Sequence, residues 1–141
     1  PKVFVRDSGL LHQLLGIQTE RELLEHPRLG ASWEGFAVEE VIAALEPEAA
    51  YFWATHAGAE LDLLLLREGR RLGVEVKRAD APVLTASMRI ALRDLRLDRL
   101  IVVYPGSRSY RLAEGVEVLP LAAFAEEGAM ALWPGRPPRR R

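Results

Sequence analysis

The chain has 141 residues, a formal net charge of −1 and no cysteine. One domain suits that length, and 49% apolar with 28% charged residues is the balance of an ordinary folded protein, not of a disordered, collagenous or coiled-coil chain. The missing cysteines exclude disulfides, thiolate zinc sites, iron–sulfur clusters and cysteine nucleophiles, no apolar run approaches the roughly 20 residues of a membrane helix, and so small a net charge is not that of a bulk nucleic-acid binder.

The chain begins at Pro1 without a methionine and enters a strand-like run at Lys2–Arg6, which leads us to expect either a piece of a longer protein or a processed start. Asp7 or Ser8 caps a short helix over Leu10–Leu15, which Gly16 stops. Thr19 and Glu22 form a capping box for a second short helix, ended by His26-Pro27. A longer helix is predicted over Ser32–Leu45, before Pro47. Tyr51–Thr55 is aromatic and β-prone. Glu60–Leu66 and Arg70–Lys77 read as two strands joined through Glu68-Gly69. Ala86–Leu95 is an amphipathic helix, with Met88, Ala91, Leu92 and Leu95 on one stripe. Arg99–Tyr104 reads as a buried strand. Tyr110–Ala113 and Val116–Leu119 read as edge-like strands around Glu114-Gly115, and Leu121–Glu126 as a last helix. Residues 127–141 are expected to form a frayed Pro/Arg-rich tail, leaving 1–126 as the domain. Helices, three strands, a helix and more strands make this an α/β chain with a mixed central sheet flanked by helices in a single domain.

The hairpin carries the chemistry. With Glu68-Gly69 as the two loop residues, Arg67 faces Arg70, and the same register sets Asp62 across from Glu75 and Glu60 across from Lys77. Opposed residues share a sheet face. One face then carries Glu60, Asp62, Glu75 and Lys77 with Leu64, Leu66 and Gly73. The other carries Ala59, Leu61, Leu63, Leu65, Leu72, Val74 and Val76. Two facing carboxylates repel. A divalent cation between them would offset that, since Mg²⁺ takes one or two carboxylates with water and phosphate. Lys77 is one of only two lysines beside 17 arginines, and it could offset charge on a phosphoryl oxygen. In the helix, Trp33, Ala37, Val38, Val41, Ala44 and Leu45 form one apolar arc. Glu34 falls inside it, where a carboxylate must be hydrogen-bonded or belong to a site.

The run Gly58-Ala-Glu-Leu-Asp62 followed by Gly73-Val-Glu-Val-Lys77 resembles the PD-(D/E)xK nuclease signature. A helical acid upstream, Glu34, completes the pattern as it appears in the Holliday-junction-resolvase branch. Pro1-Lys-Val-Phe-Val-Arg-Asp-Ser-Gly-Leu-Leu, Trp33-Glu-Gly-Phe, Tyr51-Phe-Trp53, Val102-Val-Tyr104 and Val116-Glu-Val-Leu-Pro120 extend the likeness over about residues 1 to 125. Together they are similar to the domain of unknown function found C-terminal to the P-loop ATPase domain in bacterial and archaeal predicted AAA-type ATPases. The resemblance implies a restriction-endonuclease-like fold and a preceding ATPase domain in the full-length chain; no GxxxxGK[ST] occurs in these residues. It implies Asp62 and Glu75 as ligands of Mg²⁺ or Mn²⁺, Glu34 as the helical acid that reaches the metal directly or through water, Lys77 as the charge-stabilising lysine, and DNA as a partner. The proline of the signature is absent, with Leu61 in its place.

The bland alternative is a structural network in which Lys77 pairs with Glu75 or Glu60, on a catalytically degenerate module for protein docking or nucleic-acid binding. Arg89, Arg93 and Arg96 share one side of their helix, read as a solvated face. The histidines lack metal-ligand spacing, and the serines lack a hydrolase context. The missing cysteines and signal peptide suggest the cytoplasm, and no membrane partner is expected.

Overall fold

The computed structural model describes residues 7–126 and 128–135. The strand-like run at Lys2–Arg6 lies outside them in full, as do the last arginines.

Two short helices come first. In α1 (Ser8–Leu14), Asp7 caps the N-terminus by accepting the Leu10 N–H. In α2 (Glu20–Glu25), Thr19 and Glu22 close the expected capping box. Neither helix contains a buried residue. The first core helix, α3, spans Leu29–Leu45 and buries Ala37, Val38, Val41 and Leu45. Its last turn ends in a left-handed Glu46, φ 42°. Two side chains meet its orphan carbonyls: Trp133 Nε1 donates to Leu45 O at 2.9 Å and Arg67 Nη1 to Glu46 O at 2.7 Å.

The strands are β1 (Ala49–Ala54), β2 (Glu60–Arg67), β3 (Arg70–Val76), β4 (Arg99–Tyr104), β5 (Tyr110–Ala113) and β6 (Val116–Pro120). They form one mixed sheet in the order β1-β2-β3-β4-β6-β5. β2 runs antiparallel to both its neighbours, β1 and β3. β3, β4 and β6 are parallel, and β5 is antiparallel to β6. The helix α4 (Ala86–Asp94) makes the crossover from β3 to β4. β6 was expected as an edge-like strand. It lies inside the sheet between β4 and β5, and buries Val116, Val118 and Leu119.

Two apolar clusters sandwich the sheet. Leu63, Leu65, Leu72, Val74, Val76, Ile101 and Val103 pack beneath α3. Leu61, Leu100, Val102, Tyr104, Val116 and Val118 pack with Met88 and Ala91 of α4 on the other face. The expected last helix is instead two 3-10 turns, Leu121–Phe124 and Ala129–Leu132. The packed structure runs past Glu126: Trp133, assigned from sequence to a frayed tail, is 4% exposed in the α3 cluster, with the Arg70 guanidinium 5.5 Å from its ring centre. Arg96 is a second departure, since it has left the helix. Its φ is 51°, and the Leu97 N–H reaches back to Leu92 O in a Schellman-type end with arginine where glycine is usual.

Candidate functional site

The hairpin turn forms as expected. Glu68 and Gly69 both have positive φ, 50° and 74°, the backbone of a type I′ turn. Glycine tolerates that region freely; Glu68 is held there with its carboxylate 3.0 Å from the Arg70 guanidinium. The register from Arg67↔Arg70 to Leu63↔Val74 is the expected one.

Beyond Leu63 it changes. On the β1 side, Tyr51 pairs with Leu64 but Trp53 pairs with Leu61. Between these pairs one residue of β1, Phe52, opposes two of β2, Asp62 and Leu63, so β2 carries a bulge. A bulge breaks the alternation of period two. Leu61, expected on the face of Leu63 and Leu65, is instead in the cluster beneath α4, while Leu63 and Leu65 stay beneath α3. Continued unbroken, the β2–β3 register would set Leu61 against Val76. Instead the Val76 N–H is taken by the side chain of Asp62, through Oδ2 at 2.8 Å. The Asp62 carboxylate thus fills the gap where β2 and β3 part. Asp62 is 4% exposed.

Glu75 lies on the α4 face of β3, in register with Val102 of β4. It is 3% exposed. The Lys77 ammonium lies 2.6 Å from Glu75 Oε1, while Glu75 Oε2 is buried with no hydrogen-bond partner among the described residues. Burial pushes the Glu75 carboxyl above its ordinary range, the charge of Asp62 adds to that, and Lys77 opposes it. For Lys77, burial works against the ammonium, but the bond to Glu75 and the charges of Glu75, Asp62 and Glu60 outweigh it, and the net shift is upward. The side chain of Lys77 is 40% exposed, so the trio opens to solvent at its lysine end. Beyond Val76, the Lys77 N–H bonds to Val103 O at 2.8 Å, which fixes the backbone under the ammonium.

The structure therefore gathers Asp62, Glu75 and Lys77, with Glu60 close enough to act on Lys77. Glu34 is half-buried on α3, inside the apolar arc as expected. Among the described residues no group of three or more carboxylates or imidazoles is arranged to hold a metal ion. Asp62 and Glu75 are thus a pair of potential oxygen ligands, and Glu34 does not complete a three-ligand cluster with them. The histidines behave as expected of structural residues: His12 Nε2 bonds to Ser32 Oγ at 2.7 Å, and His26 Nδ1 accepts the Arg28 N–H.

Two features were not legible beforehand. One is the Val76 amide as the anchor of Asp62, since the bulge that creates it has no glycine or proline to announce it. The other is a groove of about 330 Å³ lined by Trp33, Phe36, Pro105, Gly106 and Leu121, among others. Phe36 in that groove is 42% exposed.

These features define an α/β domain with a buried acid pair and a lysine at the split of a central hairpin. The chain belongs to the family described as domain of unknown function (DUF4143), whose model matches residues 29–124. It is 45% identical over 130 residues to the uncharacterized protein Rv2008c of Mycobacterium tuberculosis, and equally to the uncharacterized protein Mb2031c of Mycobacterium bovis. Each match covers 92% of this chain but 30% of the relative, so the chain spans under a third of the length of these proteins. No solved structure gives a significant match. Among the described residues, no helix is long and apolar enough to cross a membrane.

Proposed function

We propose that this is a Mg²⁺- or Mn²⁺-dependent nuclease-like domain on a restriction-endonuclease-like fold. It hydrolyses phosphodiesters of DNA and serves as the C-terminal part of a larger, cytoplasmic P-loop ATPase. The observation that carries the reading is the buried Glu75 carboxylate, held on one oxygen by Lys77, beside the Asp62 carboxylate where β2 and β3 part. Burying two carboxylates against one ammonium costs several kcal/mol unless further polar partners compensate, and a functional site is one place where such a cost persists. The helix, antiparallel hairpin, crossover helix and parallel strand accord with the mixed, helix-flanked sheet that the PD-(D/E)xK resemblance implies. The length of the mycobacterial relatives leaves room for an ATPase domain.

The residues fit a hard divalent cation. Two carboxylates with solvent and phosphate oxygens are an ordinary magnesium set. Bound there, the ion would supply Lewis acidity and a more acidic water. Asp62 and Glu75 would hold it, the bond of Asp62 to the Val76 amide fixing one of its oxygens. Glu34 would act through an intervening water. Lys77 would face the phosphate and offset the charge that develops as water adds to phosphorus, the bridging P–O bond breaks and a proton passes to the leaving oxygen.

The test is calorimetric titration of Mn²⁺ and Mg²⁺ into the wild type and into Asp62→Asn and Glu75→Gln, with cleavage assays on single-stranded, duplex and branched DNA. Saturable binding and cleavage, both lost in the variants, support the reading. Cleavage that persists in both variants betrays a contaminant. No binding and no cleavage in the wild type leave a degenerate module for docking or nucleic-acid binding.

A further inference from the structure

We propose that Lys77 is a resident counter-ion that competes with the divalent cation for Glu75, so that arrival of the cation and release of the lysine toward the phosphate are one event. This rests on the metal-dependent reading above. The ammonium sits 2.6 Å from Glu75 Oε1. Asp62 is anchored through Oδ2 by the Val76 N–H. A cation held by both acids must also approach Glu75, the carboxylate that Lys77 already occupies on one oxygen. The two partners differ in freedom. Glu75 is a strand residue with 4% of its side chain exposed, whereas the Lys77 side chain is 40% exposed just past the strand end. The long, solvated ammonium can swing away while the buried carboxylate stays. Among the described residues no group of three or more acids or imidazoles is arranged to hold an ion.

The exchange gives the lysine two successive roles. Before loading, it compensates the acid pair and keeps the split hairpin stable. After loading, the ion takes over that compensation and Lys77 turns to the substrate. The lysine is then charged and aimed at a phosphate only when the ion is in place.

Two measured quantities must move in opposite directions. Lys77→Met should bind Mn²⁺ about tenfold more tightly than the wild type, since a competing charge is gone, and its metal-free form should melt at a lower temperature. Lys77→Arg keeps a competing cation and should stay near the wild-type affinity. A measurement on the wild type does not depend on the variants' folding. With only two lysines in the chain, the ¹⁵N side-chain signal of Lys77 is assigned by its loss in Lys77→Arg, and diamagnetic Mg²⁺ should shift it saturably. Equal or weaker Mn²⁺ affinity in Lys77→Met, or a Lys77 signal that ignores saturating Mg²⁺, overturns the competition and leaves the metal site standing. No binding in the wild type or in either variant overturns the metal-dependent reading, and this inference with it.

Discussion

Asp62 Oδ2 accepts the backbone N–H of Val76 at 2.8 Å, in a position 4% exposed, at the residue where β2 separates from β3. A charged acceptor stands in for a ladder bond that the bulge has taken away. Such a bond contributes about 1.5–3 kcal/mol, and its loss leaves a buried amide unsatisfied. Relief of the repulsion with Glu75 works in the opposite sense. We expect the hydrogen bond to dominate, so Asp62→Ala should destabilise the domain by about 1–3 kcal/mol in denaturant unfolding. Asp62→Asn keeps an acceptor and should cost less. A more stable Asp62→Ala would mean that charge repulsion outweighs the amide bond.

Glu75 and Glu117 should impose opposite pH dependences. Burial raises the Glu75 carboxyl, so between its ordinary value and its folded value the native state holds a proton that the unfolded state has lost. Stability from this group therefore falls as pH rises from the usual carboxylate range through the raised one. Glu117 is lowered, chiefly by its bond to Arg99, so its contribution is present above the ordinary carboxylate range and is lost as pH falls below it. In unfolding curves taken across acid to neutral pH, Glu75→Gln should remove a falling component and Glu117→Gln a rising one. Parallel effects of the two variants would contradict these environments.

Trp133 should prove part of the folded domain. Its ring packs in the α3 cluster beneath Arg70, and its Nε1 satisfies the Leu45 carbonyl. Trp133→Ala should cost about 3–5 kcal/mol, the range for a buried aromatic. Trp133→Phe keeps most of the packing and should cost about 1 kcal/mol for the lost hydrogen bond. A chain cut after Glu126 should be destabilised like the alanine variant.

Gly106 lies against the ring of Tyr104. A Cβ there would sit 2.2 Å from Tyr104 Cε2, and that ring is 3% exposed. The Tyr104 hydroxyl holds the following loop, donating to Arg108 O at 2.7 Å and accepting its N–H at 2.8 Å. Gly106→Ala should therefore push the ring off these bonds and destabilise by about 1–3 kcal/mol, while Gly135→Ala, whose Cβ would meet nothing within 4 Å, should be neutral by the same melting assay.

How far the sequence carries depends on the range of the interactions involved. Capping at Asp7 and Thr19, the Glu68-Gly69 turn and the hairpin register down to Leu63↔Val74 follow from contacts a few residues apart, and the sequence alone determines them. The turn also brings Asp62, Glu75 and Lys77 to the same end of the hairpin, but their final arrangement is set where the register ends beyond Leu63↔Val74. Tertiary structure decided the rest. Leu61 crosses to the α4 face, where it joins the cluster of Met88, Ala91 and Leu100, because a bulge in β2 lets it turn, which no local pattern encodes. β6 lies inside the sheet, not at its edge, because β4 offers it a parallel partner from a distant part of the chain. Trp133 joins the core because α3 ends with a bare carbonyl beneath it. Each of these depends on surfaces that exist only once the sheet and helices have packed, and Asp62 acquires its bond to Val76 only as the bulge forms.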